Sequence, residues 1–229
     1  MNCKNELLKR DFAENIKSKN GRVKALNQES LARTYSVSLF FDEKSTAELE
    51  ALILQVAQIT KNDYVVKNKI PPHITIGMFK ATKSQERQLV EFIHKINFEY
   101  SSILQKKENA ISFKKIDTLK NKIAFLSLVA TKSNSTEKNE IKSLIEQESI
   151  IFEINRTIHN SLLQTFSAAC NNLYLPQVFF PHCTIATGLS KTQLSLLMAE
   201  QNKNQIIIPK SIQAKKLSLA IRHPYQEVF

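Results

Sequence analysis

Glycine is almost missing from this chain, with three in 229 residues, and proline is sparse at six. That excludes a flexible linker or a low-complexity segment. The three glycines are isolated, so no glycine-rich loop exists to cradle a phosphate. The three cysteines, Cys3, Cys170 and Cys183, are odd in number and far apart, which argues against a disulfide framework. No CxxC spacing is present, and a zinc site from His182 and Cys183 fails because adjacent strand residues point to opposite faces. Apolar runs stay well short of the roughly 20 residues a membrane helix needs. The opening MNCKNELLKRDFAENIKSKNG is polar and lacks the apolar region of a signal peptide. The expectation is a cytoplasmic monomer with no membrane, metal or cofactor.

Blocks of like charge are absent too. Lysine and arginine number 32 against 21 acidic residues, giving +11 and a pI near 9.5, yet the basic residues are scattered. The balance favours polyanions, most simply RNA or nucleotides, but an AT-rich genome gives a Lys-, Asn- and Ile-rich chain without any such partner.

What is present is a duplicated pattern. Ordinary hydrophobic (42%) and charged (23%) fractions fit a globular protein with a sizeable core. The first unit opens with TYSVSLFF (34–41), a β-branched and aromatic strand, then DEKSTAELEALILQVAQI. In that helix Ser45 and Glu48 have capping-box spacing ahead of apolar Leu49, Leu52, Ile53 and Val56. IPPHITIGMF follows as a strand, and ATKSQERQLVEFIHKI as a helix with Thr82 and Gln85 in capping register. The second unit repeats the order: strand KIAFLSLVA (122–130), a helix from about 136 to 166, strand VFFPHCTIA, and a helix capped by Ser190 and Gln193. QIIIP and KKLSLAI read as closing strands. Strand, helix, His-x-Thr strand, helix, twice over, predicts two similar lobes, about 34–121 and 122–229. Residues 1–33 fall outside the repeat and read as a helical extension stopped at Gly21.

Each unit carries Pro-His-x-Thr followed by an aliphatic residue: Pro72-His73-Ile74-Thr75-Ile76 and Pro181-His182-Cys183-Thr184-Ile185. On a strand His73 and Thr75 project to one side and Ile74 to the other, and the second copy behaves alike. Proline just ahead suits a first strand position, where no ladder N–H is needed. If the lobes pack symmetrically, the two His/Thr faces meet across a groove. One imidazole then serves as base and the other as acid, while threonine hydroxyls donate to non-bridging phosphate oxygens.

These tandem motifs, on equivalent strands of a duplicated unit, resemble the 2H phosphoesterase superfamily, which includes bacterial 2'-5' RNA ligase-like proteins and cyclic nucleotide phosphodiesterases. The resemblance spans roughly residues 34–224. It implies a bilobal α+β fold, with an antiparallel sheet in each lobe, outer helices and a central groove, in which strands can be exchanged between lobes. It also implies His73, Thr75, His182 and Thr184 as the catalytic set, with His182 leaning to base and His73 to acid. Cys183 departs from the commoner aliphatic middle residue and is expected to face the core as a small hydrophobe.

Tyr35, Phe79 and Phe113 lie near the expected groove and are candidates to stack a base, weighed against plain core packing. Arg222 and His223 follow the last strand and could reach a phosphate at the rim. His94 and His159 sit on helical stretches and read as packing or surface residues. The implied reaction is metal-independent cleavage of a 2',3'-cyclic phosphate or a 2'-5' phosphodiester in RNA or nucleotides. The alternatives are 2'-5' ligation by the same side chains, or an RNA-binding module that kept the fold without the chemistry.

Overall fold

A computed structural model of the chain describes residues 32–128, 138–168, 174–221 and 226–228. The 1–33 extension therefore lies outside the described residues but for its last two positions, and Arg222 and His223 lie outside them as well.

The architecture is α+β. One antiparallel sheet runs in the order β3-β4-β6-β2-β1-β7-β8, with β5 also paired to β2. The strands are β1 (Arg33–Phe41), β2 (His73–Ala81), β3 (Lys115–Leu119), β4 (Ile123–Ser127), β5 (Ser167–Ala168), β6 (His182–Thr187), β7 (Ala214–Ile221) and β8 (Gln226–Glu227). The helices are α1 (Glu43–Thr60), the short α2 (Tyr64–Lys67), α3 (Lys83–Leu104), α4 (Lys138–Leu162) and α5 (Lys191–Asn202). No described helix is long and apolar enough to cross a membrane.

Helix starts follow local chemistry. Thr82 and Ser190 close capping boxes with Gln85 and Gln193, as their spacing predicts. The expected Ser45–Glu48 box gives way to a cap three residues earlier: Asp42 Oδ1 accepts from the Ser45 amide at 2.7 Å. Ser45 Oγ is turned outward from the helix and accepts from the Gln213 amide at 2.8 Å. The apolar stripe Leu49, Leu52, Ile53 and Val56 is buried as its spacing requires.

Two strand expectations need correction. QIIIP forms no strand: Ile206 is buried and Ile207 exposed in the alternating manner, but no neighbouring ladder receives the segment. In its place the Gln205 carbonyl accepts from Gln55 Nε2 at 2.9 Å. Conversely, β3 pairs with β4 in a hairpin turned by Lys120 and Asn121, at φ 53° and 52°. Two positive φ values are the requirement of a tight hairpin turn, which usually selects glycine.

The core lies where the apolar faces of the strands meet the helices. Tyr35, Val37 and Leu39 of β1 are fully buried beside Leu217 and Leu219 of β7 and Ile74 and Phe79 of β2. The opposite face of the same strands is polar, carrying Ser36, Ser38, Thr75 and Ser218. That two-faced sheet prepares the site.

Candidate active site

The two His-x-Thr strands are neighbours. β2 and β6 run antiparallel, and the residues that pair across them are Ile74 and Cys183, the middle residues of the two motifs. Partners in an antiparallel pair point to one face, and the residues flanking them point to the other. Ile74 and Cys183 are fully buried, so their face is the core. His73, Thr75, His182 and Thr184 therefore all project from the opposite face, His73 across from Thr184 and Thr75 across from His182. The two histidines occupy diagonal positions, a relation that separates residues by about 7–8 Å, with Cβ atoms somewhat closer.

The copies agree in finer detail. In each, the ring Nδ1 meets the carbonyl two residues back: His73 to Pro71 O at 2.7 Å, His182 to Phe180 O at 2.8 Å. A carbonyl can only accept, so Nδ1 carries the hydrogen. That assigns both neutral rings to the tautomer whose proton-accepting atom is Nε2. The acceptor in each case belongs to the residue just before a proline, a position biased to extended backbone. Each motif strand also carries a bulge after its threonine. The register shifts between Val37 and Ser38 leave Ile76 as the extra residue of β2, and those between Ala124 and Phe125 leave Ile185 as that of β6.

Surroundings differ. His182 stands within aromatic rings: Tyr174 nearly parallel at 6.4 Å, Phe180 at 6.0 Å and Phe125 at 5.1 Å. Burial among them lowers its pKa, against the smaller opposing pull of the Phe180 carbonyl. The ring is thus neutral at pH 7. His73 has Phe40 beside it at 5.7 Å, across the ladder in β1. Thr75 is 7% exposed and Thr184 more open. On the same face of the outer strands lie two ion pairs: Lys115 with Asp117 at 3.1 Å, and Lys216 with Glu227 at 2.8 Å.

Cys183 is a core residue, its thiol pushed by burial up to about 12. Tyr35 and Phe79 are not brought to the site. They pair with each other on the core face, fully buried, and the Tyr35 hydroxyl donates to Glu86 at 2.8 Å. Phe113 is likewise buried. Their aromatic strand context is equally the signature of core, and the alternation that puts His73 and Thr75 outward puts Phe79 inward across the bulge. Of the two helical histidines, His94 is exposed and His159 is buried against Phe79 at 5.1 Å. Among the described residues no His, Cys, Asp and Glu cluster of metal-binding geometry occurs.

Sequence reasoning missed the row Ser36, Ser38 and Ser218, whose signal was the alternation of small polar with aliphatic residues in YSVSLF and KLSLAI. It also missed Tyr174, Phe125 and Phe180 as the wall around His182. A scan against protein families and a search of curated proteins both find no match.

Proposed function

We propose that this protein is a phosphodiesterase that opens a 2',3'-cyclic phosphate, or cleaves a 2'-5' linkage, on RNA ends or nucleotides in the cytoplasm. The observation that carries the reading is the Ile74–Cys183 pair, which puts two imidazoles and two threonine hydroxyls on one sheet face. Matching bulges and matching Nδ1 contacts support the finer view that the two halves are lobes from a duplication, exchanging β7 and β8 to the first half. The resemblance to 2H phosphoesterases points the same way.

In this mechanism the phosphate sits between the two rings. Neutral His182 takes a proton from water through Nε2 as the water oxygen bonds to phosphorus. His73, protonated, gives its Nε2 proton to the ribose oxygen as the P–O bond breaks, leaving a 2'-phosphate. Thr75 and Thr184 donate to the non-bridging oxygens. The lowered pKa of His182 suits the base role, because a base must be neutral before it acts. No step calls on a metal, so activity is expected to survive EDTA. With a 5'-hydroxyl in place of water as the nucleophile on a 2',3'-cyclic phosphate, and the 3'-oxygen leaving with the proton from His73, the same groups would join two ends through a 2'-5' linkage.

The test is incubation of the purified protein with 2',3'-cyclic nucleotides, 2'-5' dinucleotides and RNA bearing a cyclic phosphate. Turnover of at least one class, lost in His73→Ala and His182→Ala, supports the reading. Binding of RNA without turnover of any of them would assign the protein to the non-catalytic alternative.

A further inference from the structure

Asn155 lies on α4, fully buried, and neither motif contains it. Its side-chain amide makes two hydrogen bonds, to the Ile76 carbonyl at 2.7 Å and to the Tyr174 carbonyl at 2.9 Å. Both acceptors are informative. Ile76 is the bulge residue next to Thr75, and a bulge interrupts the ladder that would otherwise satisfy such a carbonyl. Tyr174 is the residue whose ring stacks on His182. The two N–H groups of one amide thus reach the backbone beside one motif and the backbone that sets the aromatic wall of the other.

We propose that Asn155 is a positioning residue that couples the two histidine motifs, holding the bulge after Thr75 and the Tyr174 ring over His182 in one fixed relation. This deepens the phosphodiesterase reading and rests on it for its catalytic consequence. The helix around Asn155 is itself seated. Tyr100 of α3 donates to Glu153 at 2.9 Å, and His159, one turn beyond Asn155, packs on Phe79. His159 Nε2 would stand 3.1 Å from a Cβ at Gly77, so β2 and α4 touch at the residue following the bulge. A Cβ there would crowd His159, and the close approach that glycine eases brings the Asn155 amide within reach of Ile76.

The groups that face His182 are Tyr174 and Phe180 from the segment leading into β6, Phe125 and Ser127 from β4, and His73 across the sheet. Lys115 and Asp117 lie on the same face of β3. Of these, only Tyr174 receives a hydrogen bond from Asn155, so a shift in His182 on changing Asn155 reports the position of the ring wall.

The experiment reads the His182 titration by NMR on histidine-labelled protein, together with kcat and KM on a 2',3'-cyclic nucleotide. In Asn155→Ala the His182 midpoint is expected to rise toward the ordinary value as water reaches the ring. kcat is expected to fall about tenfold or more, toward the roughly hundredfold that a full ångström of misplacement costs, with KM little changed. Asn155→Ser, which keeps one donor, should fall between, and it replaces the alanine variant if that one does not fold. Tyr174→Leu, which removes the ring but keeps the carbonyl, should move the His182 midpoint in the same direction. A lower denaturation midpoint with an unmoved His182 titration in all folded variants would overturn the proposal. A wild type inactive on every diester, but with the midpoint moved in the Asn155 variants, would keep the coupling and remove the phosphodiesterase reading.

Discussion

The β2 and β6 motifs share a backbone and differ in what surrounds it. Both have a proline before the histidine, an Nδ1 contact to the carbonyl behind it, and a bulge after the threonine. Yet His182 is walled by Tyr174, Phe180 and Phe125, whereas His73 faces Phe40 beside a row of buried serines. The repeated part sets which nitrogen is offered, and the unrepeated part sets how readily that nitrogen holds a proton. In the proposed mechanism a repeated tripeptide would in this way supply two different halves of an acid–base pair.

The largest effects should come from removing either half. His73→Ala and His182→Ala are each expected to cost at least about a hundredfold in kcat, the lower end of general acid–base contributions. A substrate with a good leaving group needs no acid, so it should restore His73→Ala and leave His182→Ala inactive. The reverse pattern, read in the same assay, would exchange the two roles.

Thr75→Ala and Thr184→Ala come next. Each removes a hydrogen bond to a charged oxygen, worth about 1.5–3 kcal/mol, or roughly ten- to a hundredfold in kcat/KM. Wild-type rates in both would place the phosphate elsewhere.

A smaller effect separates the bulges. The residue after the bulge is Gly77 in one copy and Ala186 in the other. At Gly77 an added Cβ would meet the Phe79 ring at 2.8 Å as well as His159. Gly77→Ala should therefore overpack the α4–β2 contact and lower stability by about 1–3 kcal/mol in a denaturant titration. Ala186→Gly leaves packing nearly intact and should cost no more than about 1 kcal/mol.

Acid gives the gentlest test. His159 and His182 both have pKa values lowered by burial. At His159 the carbonyls of Ile76 and Tyr174 favour the charged form without reaching hydrogen-bonding geometry, and burial outweighs them. In the unfolded chain both rings titrate near 6.5, so on acidification the unfolded state binds protons first. Their contribution is complete above about pH 6.5 and is lost as pH falls toward the folded-state values. Asp42 and Glu227, whose pKa values are lowered by the bonds they accept, lose theirs only below about pH 4. Denaturation midpoints should thus decline as pH falls below about 6.5, and less steeply in His159→Leu.

Much of this was legible in the sequence because it is local. Strand alternation put His73 and Thr75 on one face, and capping chemistry marked Thr82 and Ser190. The motif pair itself was visible, but its pairing through Ile74 and Cys183 was not, since register between strands over a hundred residues apart leaves no local trace. Lys120-Asn121 concealed a hairpin by lacking the usual glycine. QIIIP has strand composition and no partner, and composition cannot supply one. Tyr35 and Phe79 had the right residue type on the wrong face. Asn155 had no signal at all, because its meaning depends on two carbonyls brought to it by the fold.

Whether one neutral and one protonated imidazole act together on a phosphodiester is read from the pH–rate profile of the wild type and the two histidine variants. The wild type is expected to show a bell-shaped kcat/KM, with two apparent pKa values belonging to the pair. The residual rate of each variant should lack one limb, the acidic limb in His182→Ala and the basic limb in His73→Ala. Flat profiles, or full bells in both variants, would contradict it.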